Sequence, residues 1–156
     1  MVDDPLSWLT VAFESEVLIA GVIFAGTAII IALWVPGVLL PIAASSGALL
    51  DTWSATAAVT FGALAGSLII FTTTRHFAQG RVPPRIARFL HRFEAGFKAR
   101  GAWLVLGLRL IGAPHFLVSA GSAVMPVKTS AFALATLLGL LPAILLAAMA
   151  GSALGN

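Results

Sequence analysis

Residues 102–124, AWLVLGLRLIGAPHFLVSAGSAV, form an apolar run long enough to cross a bilayer, yet the run carries Arg109 and, directly after it, Gly112-Ala113-Pro114. An arginine at mid-depth costs roughly 2.5–3.5 kcal/mol on insertion scales, so such a side chain usually faces protein or water and marks a pathway. A Gly-Ala-Pro break frees backbone groups that hydrocarbon cannot satisfy, and it is tolerated only where it is buried in protein or lines a cavity. The run therefore reads as a re-entrant hairpin: a helix entering to about Leu110, a turn at Gly112-Ala113-Pro114, and a second short helix leaving. The alternative is a kinked spanning helix whose Arg109 snorkels to one surface.

The whole chain has the same lipid-facing character. Of its 156 residues 60% are hydrophobic and 10% charged, more apolar surface than a soluble domain of this length needs. Cysteine is absent, which removes disulfides, thiolate metal sites and cysteine nucleophiles together. The net charge of +3 matters less than its distribution. Arg75, Arg81, Arg85, Arg88, Arg92, Lys98 and Arg100 all fall between two apolar blocks, with Glu94 the only acid among them. Such a cluster places segment 75–100 on the cytoplasmic side and draws anionic lipid headgroups rather than nucleic acid. The N-terminus lacks the basic start and the cleavage site of a secretory signal, so the chain is expected to be retained whole in the membrane.

Working outward, residues 5–16 read as a short interfacial helix. Its Glu14 and Glu16 either favour the positive end of the helix that follows or are simply solvated flank charges. Residues 17–34 are long enough to span, with Trp34 as an interfacial anchor. Residues 36–50 contain Pro36, Gly37, Pro41, Ser45, Ser46 and Gly47 and are too short to span, which predicts a second re-entrant hairpin. A spanning helix over 53–74 follows, capped by Asp51. In 83–100, Ile86, Phe89, Leu90, Phe93 and Phe97 share one face while Arg85, Arg88, Arg92 and Lys98 lie off it. This predicts an amphipathic helix in the interface, or one packed on the protein's own cytoplasmic face. Residues 130–154 span again, with Pro142 expected to bend them. Two rows of small residues four apart, Ala58-Gly62-Gly66 and Gly139-Ala143-Ala147-Gly151, predict close helix packing and would also suit a homodimer.

The two halves repeat one order of parts, a Pro-broken run, a short polar loop and a spanning helix, and SSGALLDTWSA (45–55) resembles SAGSAVMPVKTSA (119–131) locally. With 75–100 inside, the units run in opposite directions, which puts the N-terminus inside and the C-terminus outside. The predicted fold is a single-domain, all-α polytopic membrane protein: an inverted repeat of re-entrant hairpin plus transmembrane helix, with a cytoplasmic amphipathic helix. Discontinuous helices meeting near the midplane are a transporter architecture.

Between Val35 and Leu154 run Val35-Pro36-Gly37, Ser46-Gly47-Ala48, the Phe71, Arg75 and Gly80-Arg81 series, Leu108-Arg109-Leu110 with Pro114 and Phe116, Ala120-Gly121, and Gly139 with Pro142. In this order they resemble the DedA family, also called the VTT or SNARE-associated Golgi protein domain, and within it the TVP-type branch. The resemblance implies two facing re-entrant hairpins and lipid movement, either as a scramblase-like protein or as a proton-driven carrier of polyprenyl phosphate in the bacterial inner membrane. It also carries over the arginine positions Arg75, Arg81 and Arg109. Many members have Gly-Asp where this chain has Gly66-Ser67. A coupled proton would then fall to Glu14, Glu16, Asp51, His76 or His115. His115 has the intrinsic pKa nearest neutrality, and its alternative role is that of a structural donor.

The expected function is transport of an anionic lipid across the cell membrane. Arg109 would supply positive charge at the hairpin tip, where Gly112 and Pro114 would also contact substrate, aided by free backbone N–H groups, because a phosphate leaving water needs charge and donors together. Arg75 and Arg81 would gather headgroups at the cytoplasmic mouth. The rival is a non-transporting scaffold whose basic helix binds anionic lipid or a partner protein. An enzyme is not expected, since six acids with no carboxylate cluster, no His-Glu metal spacing and no Ser/His/Asp order leave nothing to organise catalysis, a metal or a cofactor.

Overall fold

A computed structural model describes residues 7–78 and 100–155, and every element among them is helical. In chain order these are α1 (Ser7–Ala32), α2 (Leu39–Leu49), α3 (Thr52–Ala78), α4 over residues 100–110, α5 (His115–Ala123) and α6 (Thr129–Gly155). By length and apolar character α1, α3 and α6 could each cross a bilayer. Arg81 and all but the last residue of the predicted amphipathic helix over 83–100 lie outside the described residues.

The predicted division into an interfacial helix and a span gives way to one continuous α1. Glu14-Ser15-Glu16 carry charge but no helix breaker, so they mark a polarity boundary and not the end of a helix. Helix α1 stops where Trp34 N–H donates to Ile31 O at 3.1 Å and Val35 N–H to Ile30 O at 3.3 Å. Helix α4 stops in the same way, with Gly112 N–H donating to Arg109 O at 3.1 Å and Ala113 N–H to Leu108 O at 2.9 Å. This paired bond is the Schellman stop, which needs one left-handed residue. Gly112 supplies it with φ 76°, and Trp34 with φ 61°. A bulky side chain there costs roughly 1–2 kcal/mol. The contact of the Trp34 ring with Phe116, 4.5 Å between centroids, offsets part of that cost. The sharp stop after Leu110 also replaces the kinked, unbroken helix considered above.

Each stop is followed by a proline, a short helix and a 27-residue helix, so α1-α2-α3 and α4-α5-α6 repeat one order of parts. The units have opposite sense. Phe71 near the end of α3 stacks on Phe132 near the start of α6, while Leu50, just before α3, and Ala55 in its first turn share a cluster with Ala148 near the end of α6. Helices α3 and α6 are therefore antiparallel.

Helix α1 runs the other way from expectation. Gly62 of α3 lies against Phe24 O, where an added Cβ would come within 2.6 Å, and Gly66 lies against Ala28 O, where it would come within 2.5 Å. Both positions advance together, so α1 and α3 are parallel and begin on the same side. The segment 36–50 does not fold back on itself; after its opening turn it is the single helix α2, returning from the tip of α1. The paired arms of the first hairpin are α1 and α2. An apolar run of 18 residues reads as a span by length, and length carries no direction.

Both hairpin tips stop halfway along the long helices. Ile31 contacts Gly66 near the centre of α3, and Arg109 contacts Gly139 on α6. Small residues allow these approaches, and α2 crosses α6 with Gly47 on the Ala148 carbonyl and Gly151 on the Ala44 carbonyl. The predicted row on α6 is only partly in contact: Gly139 and Gly151 are buried, but Ala143 is exposed and Ile144 and Ala148 take its place. A four-residue step exceeds the 3.6-residue turn, so the row drifts round the helix.

Asp51 caps α3, accepting from Trp53 N–H at 2.9 Å and Ser54 N–H at 3.2 Å. Hydrogen bonds from Ser54, through its hydroxyl and its backbone, and from Trp53 hold the carboxyl below its ordinary 3.8. A carboxyl lowered on folding stabilises the fold above its unfolded pKa and loses that contribution as pH falls through its folded value. The Tm of the parent should therefore drop below about pH 4 more than that of Asp51→Asn, which keeps the cap but does not titrate. Equal pH profiles would remove Asp51 as the cap that matters.

Candidate functional site

Arg109 lies in the last turn of α4 and is 3% exposed. One terminal nitrogen donates to His115 Nδ1 at 2.7 Å, and the other donates to Ser119 Oγ at 2.9 Å and Ser67 Oγ at 3.2 Å. A guanidinium has no lone pair to offer, so His115 accepts at Nδ1 and carries its own proton on Nε2. The side-chain stem rests on Gly139, where an added Cβ would meet Arg109 Cβ at 2.5 Å, and the guanidinium lies 5.9 Å from the Phe132 ring centroid. Nε has no partner. Glu14, Glu16 and Asp51, the described carboxylates, are exposed, and none contributes to this hydrogen-bonding set. A buried cation with hydroxyl partners and no counter-ion is an uncommon and costly arrangement.

A cavity of about 260 Å³ adjoins this side chain. Trp34, Pro36 and Gly37 from the first tip line it, together with Gly112, Pro114 and His115 from the second. Ile31, Leu39 and Leu140 complete apolar walls, so the site offers one cation in a surround that screens charge poorly. Two of the five guanidinium N–H groups have no partner, one of them the buried Nε. Among the described residues no carboxylate competes for these groups.

Of the residues singled out in the sequence, Arg109, Gly112, Pro114 and His115 come together at this cavity. Glu14 and Glu16 lie on an exposed stretch of α1, Asp51 is occupied as a cap, and His76 is exposed. Arg75 points elsewhere: Nε donates to Ala123 O at 3.0 Å, and one terminal nitrogen donates to Met125 O at 3.0 Å and Val127 O at 2.8 Å. Sequence reasoning missed Ser67, Ser119 and Trp34. The signal available for the serines was position, since Ser67 stands two turns before Arg75 on α3 and Ser119 one turn after His115 on α5. Among the described residues no three His, Cys, Asp or Glu are placed to hold a metal.

Residues 35–153 match the family described as the VTT domain. No curated protein and no solved structure matches the chain.

Proposed function

The chain belongs to the VTT-domain family, the DedA/SNARE-associated Golgi family, and from that premise we propose that it carries an anionic lipid across a cell membrane at the Arg109 cavity. The observation that carries this reading is a buried guanidinium with no counter-ion among the described residues and an unpartnered, buried Nε, beside a cavity lined by the two hairpin tips. Both tips stop alongside the middle of α3 and α6. If those two helices cross the bilayer, the hairpins re-enter it from opposite faces and the cavity sits near its midplane. Irregular backbone at that depth is tolerated because it lines a cavity. The phosphate of a lipid would take the unpartnered N–H groups of Arg109, with Gly112 and Pro114 shaping the tip beside it, while the acyl or isoprenoid chain stays among the exposed apolar side chains around Trp34 and Ile111. In this reading the chain is a carrier and not an enzyme, and segment 75–100 with Arg81 faces the cytoplasm.

A coupled proton would be carried by His115. Protonation at Nδ1 removes the acceptor that Arg109 Nη1 uses, so proton and anion occupancy are linked through one hydrogen bond.

The test is reconstitution into liposomes carrying tail-labelled lipids with a phosphate or a zwitterionic headgroup. Transfer of the phosphate lipid should exceed both protein-free vesicles and the zwitterionic probe. Transfer no faster than in protein-free vesicles would overturn the carrier reading in favour of a scaffold, and equal transfer of both probes would overturn selection by Arg109.

A further inference from the structure

The described residues place a second cation, Arg75, at the far end of a continuous line that ends on Arg109. Ser67, Phe71 and Arg75 stand at successive turns of one face of α3. The Arg75 guanidinium lies 4.3 Å from the Phe71 ring centroid, Phe71 stacks on Phe132 with 4.3 Å between centroids and 16° between planes, and Arg109 approaches the same Phe132 ring at 5.9 Å. Both rings are fully buried. A second route runs along α5: Arg75 takes the Ala123 carbonyl, and one turn earlier Ser119 grips Arg109.

Helix α5 needs such a clamp. It has nine residues and no side-chain cap at its N-terminus, and a helix that short is marginal alone. Arg75 satisfies carbonyls at its C-terminal end and in the turn that follows, where a cation also complements the helix dipole. The clamp fixes where Ser119 of α5 lies relative to Ser67 of α3, and those two hydroxyls hold one nitrogen of Arg109.

We propose that Arg75 is a positioning residue, which sets Arg109 in the cavity through α5 and the stacked Phe71–Phe132 pair and does not itself gather headgroups. This rests on the carrier reading only for its transport consequence; the mechanical link stands apart from it. Lysine cannot reproduce the arrangement, because a point charge has neither the planar fork for three carbonyls nor a face to stack on Phe71.

The experiment is a double-mutant cycle on the full chain with Arg75→Lys and Arg109→Lys, read as phosphate-lipid transfer and as Tm in detergent. Arg75→Lys should slow transfer by between about 2-fold and 30-fold in the parent. In the Arg109→Lys background it should have little further effect, and the Tm shift should shrink likewise. Effects that multiply in transfer and add in Tm would overturn the proposal and return Arg75 to an independent role at the mouth. Phe132→Leu keeps apolar volume but deletes the shared ring, and it should weaken the coupling; unchanged coupling would overturn the aromatic route. If the parent moves no lipid, the carrier reading fails while the Tm cycle still decides the link. Should Arg75→Lys fail to fold, the same cycle with Arg75→Gln, which keeps a planar donor group, decides it, and additive Tm shifts there count against it.

Discussion

Arg109→Met is expected to abolish phosphate-lipid transfer while leaving the protein at least as resistant to heat as the parent. Methionine keeps an unbranched stem against Gly139 and fills irregular apolar space well. It removes a buried cation that no described carboxylate neutralises, and an arginine at bilayer mid-depth costs roughly 2.5–3.5 kcal/mol on insertion scales. Three hydrogen bonds are lost, but the freed Ser67 and Ser119 hydroxyls can turn to carbonyls of their own helices. Ser46, Thr56 and Thr72 already do this, at 2.7 Å each. Losing a buried charge pair with the guest costs roughly 2–5 kcal/mol, which is a weakening of about 30-fold or more. Arg109→Lys keeps the charge but not the fork, and should fall between.

Ser67→Asp separates charge from shape in the same assay. Its carboxylate would stand where the Ser67 hydroxyl now accepts from Arg109 at 3.2 Å. An internal counter-ion then competes with the guest, so transfer should fall to the level of Arg109→Met although Arg109 is intact, and Tm should rise. Parent-like transfer in Ser67→Asp would mean that the open charge on Arg109 is not what the lipid binds.

The break at Gly112-Ala113-Pro114 and the burial of Arg109 were legible because each violates what an apolar run can tolerate, and a violation needs one structural answer. The cap at Asp51 was legible because its partners lie two and three residues away. Partnerships across the chain were not. A serine in an apolar helix reads as bonded to its own backbone, so nothing local announced that Ser67 would reach Arg109, 42 positions on. Arg75 at a helix end reads as a headgroup contact, whereas its carbonyl partners stand 48 to 52 positions away. Trp34 opposes its own preference by taking a left-handed conformation, and only Phe116 on the other repeat gives a reason. The direction of α1 was hidden for a different cause: hydropathy measures length, and the parallel pairing of α1 with α3 becomes visible only where Gly62 and Gly66 meet successive carbonyls.

The crossing of α2 with α6 carries the other large expected effect. Gly47 rests on the Ala148 carbonyl and Gly151 on the Ala44 carbonyl, so each helix offers a glycine to a carbonyl of the other, and an added methyl at either would run into backbone. Backbone cannot rotate aside as a side chain end does, so Gly47→Ala and Gly151→Ala must push the helices apart, at about 1–3 kcal/mol each. Gly107→Ala and Gly121→Ala are the controls. Both positions are helical with nothing within 4 Å of an added Cβ, and alanine there should be neutral or stabilising by up to about 1 kcal/mol. Once one methyl has separated the helices the second meets less resistance, so the double variant should lose less Tm than the sum of the singles. Because α2 also supplies Leu39 and Leu40 to the cavity wall, the same displacement should slow lipid transfer before it unfolds the protein. Parent-like Tm in both Gly47→Ala and Gly151→Ala would mean that this crossing is not tight, and the cavity wall it positions would lose its anchor.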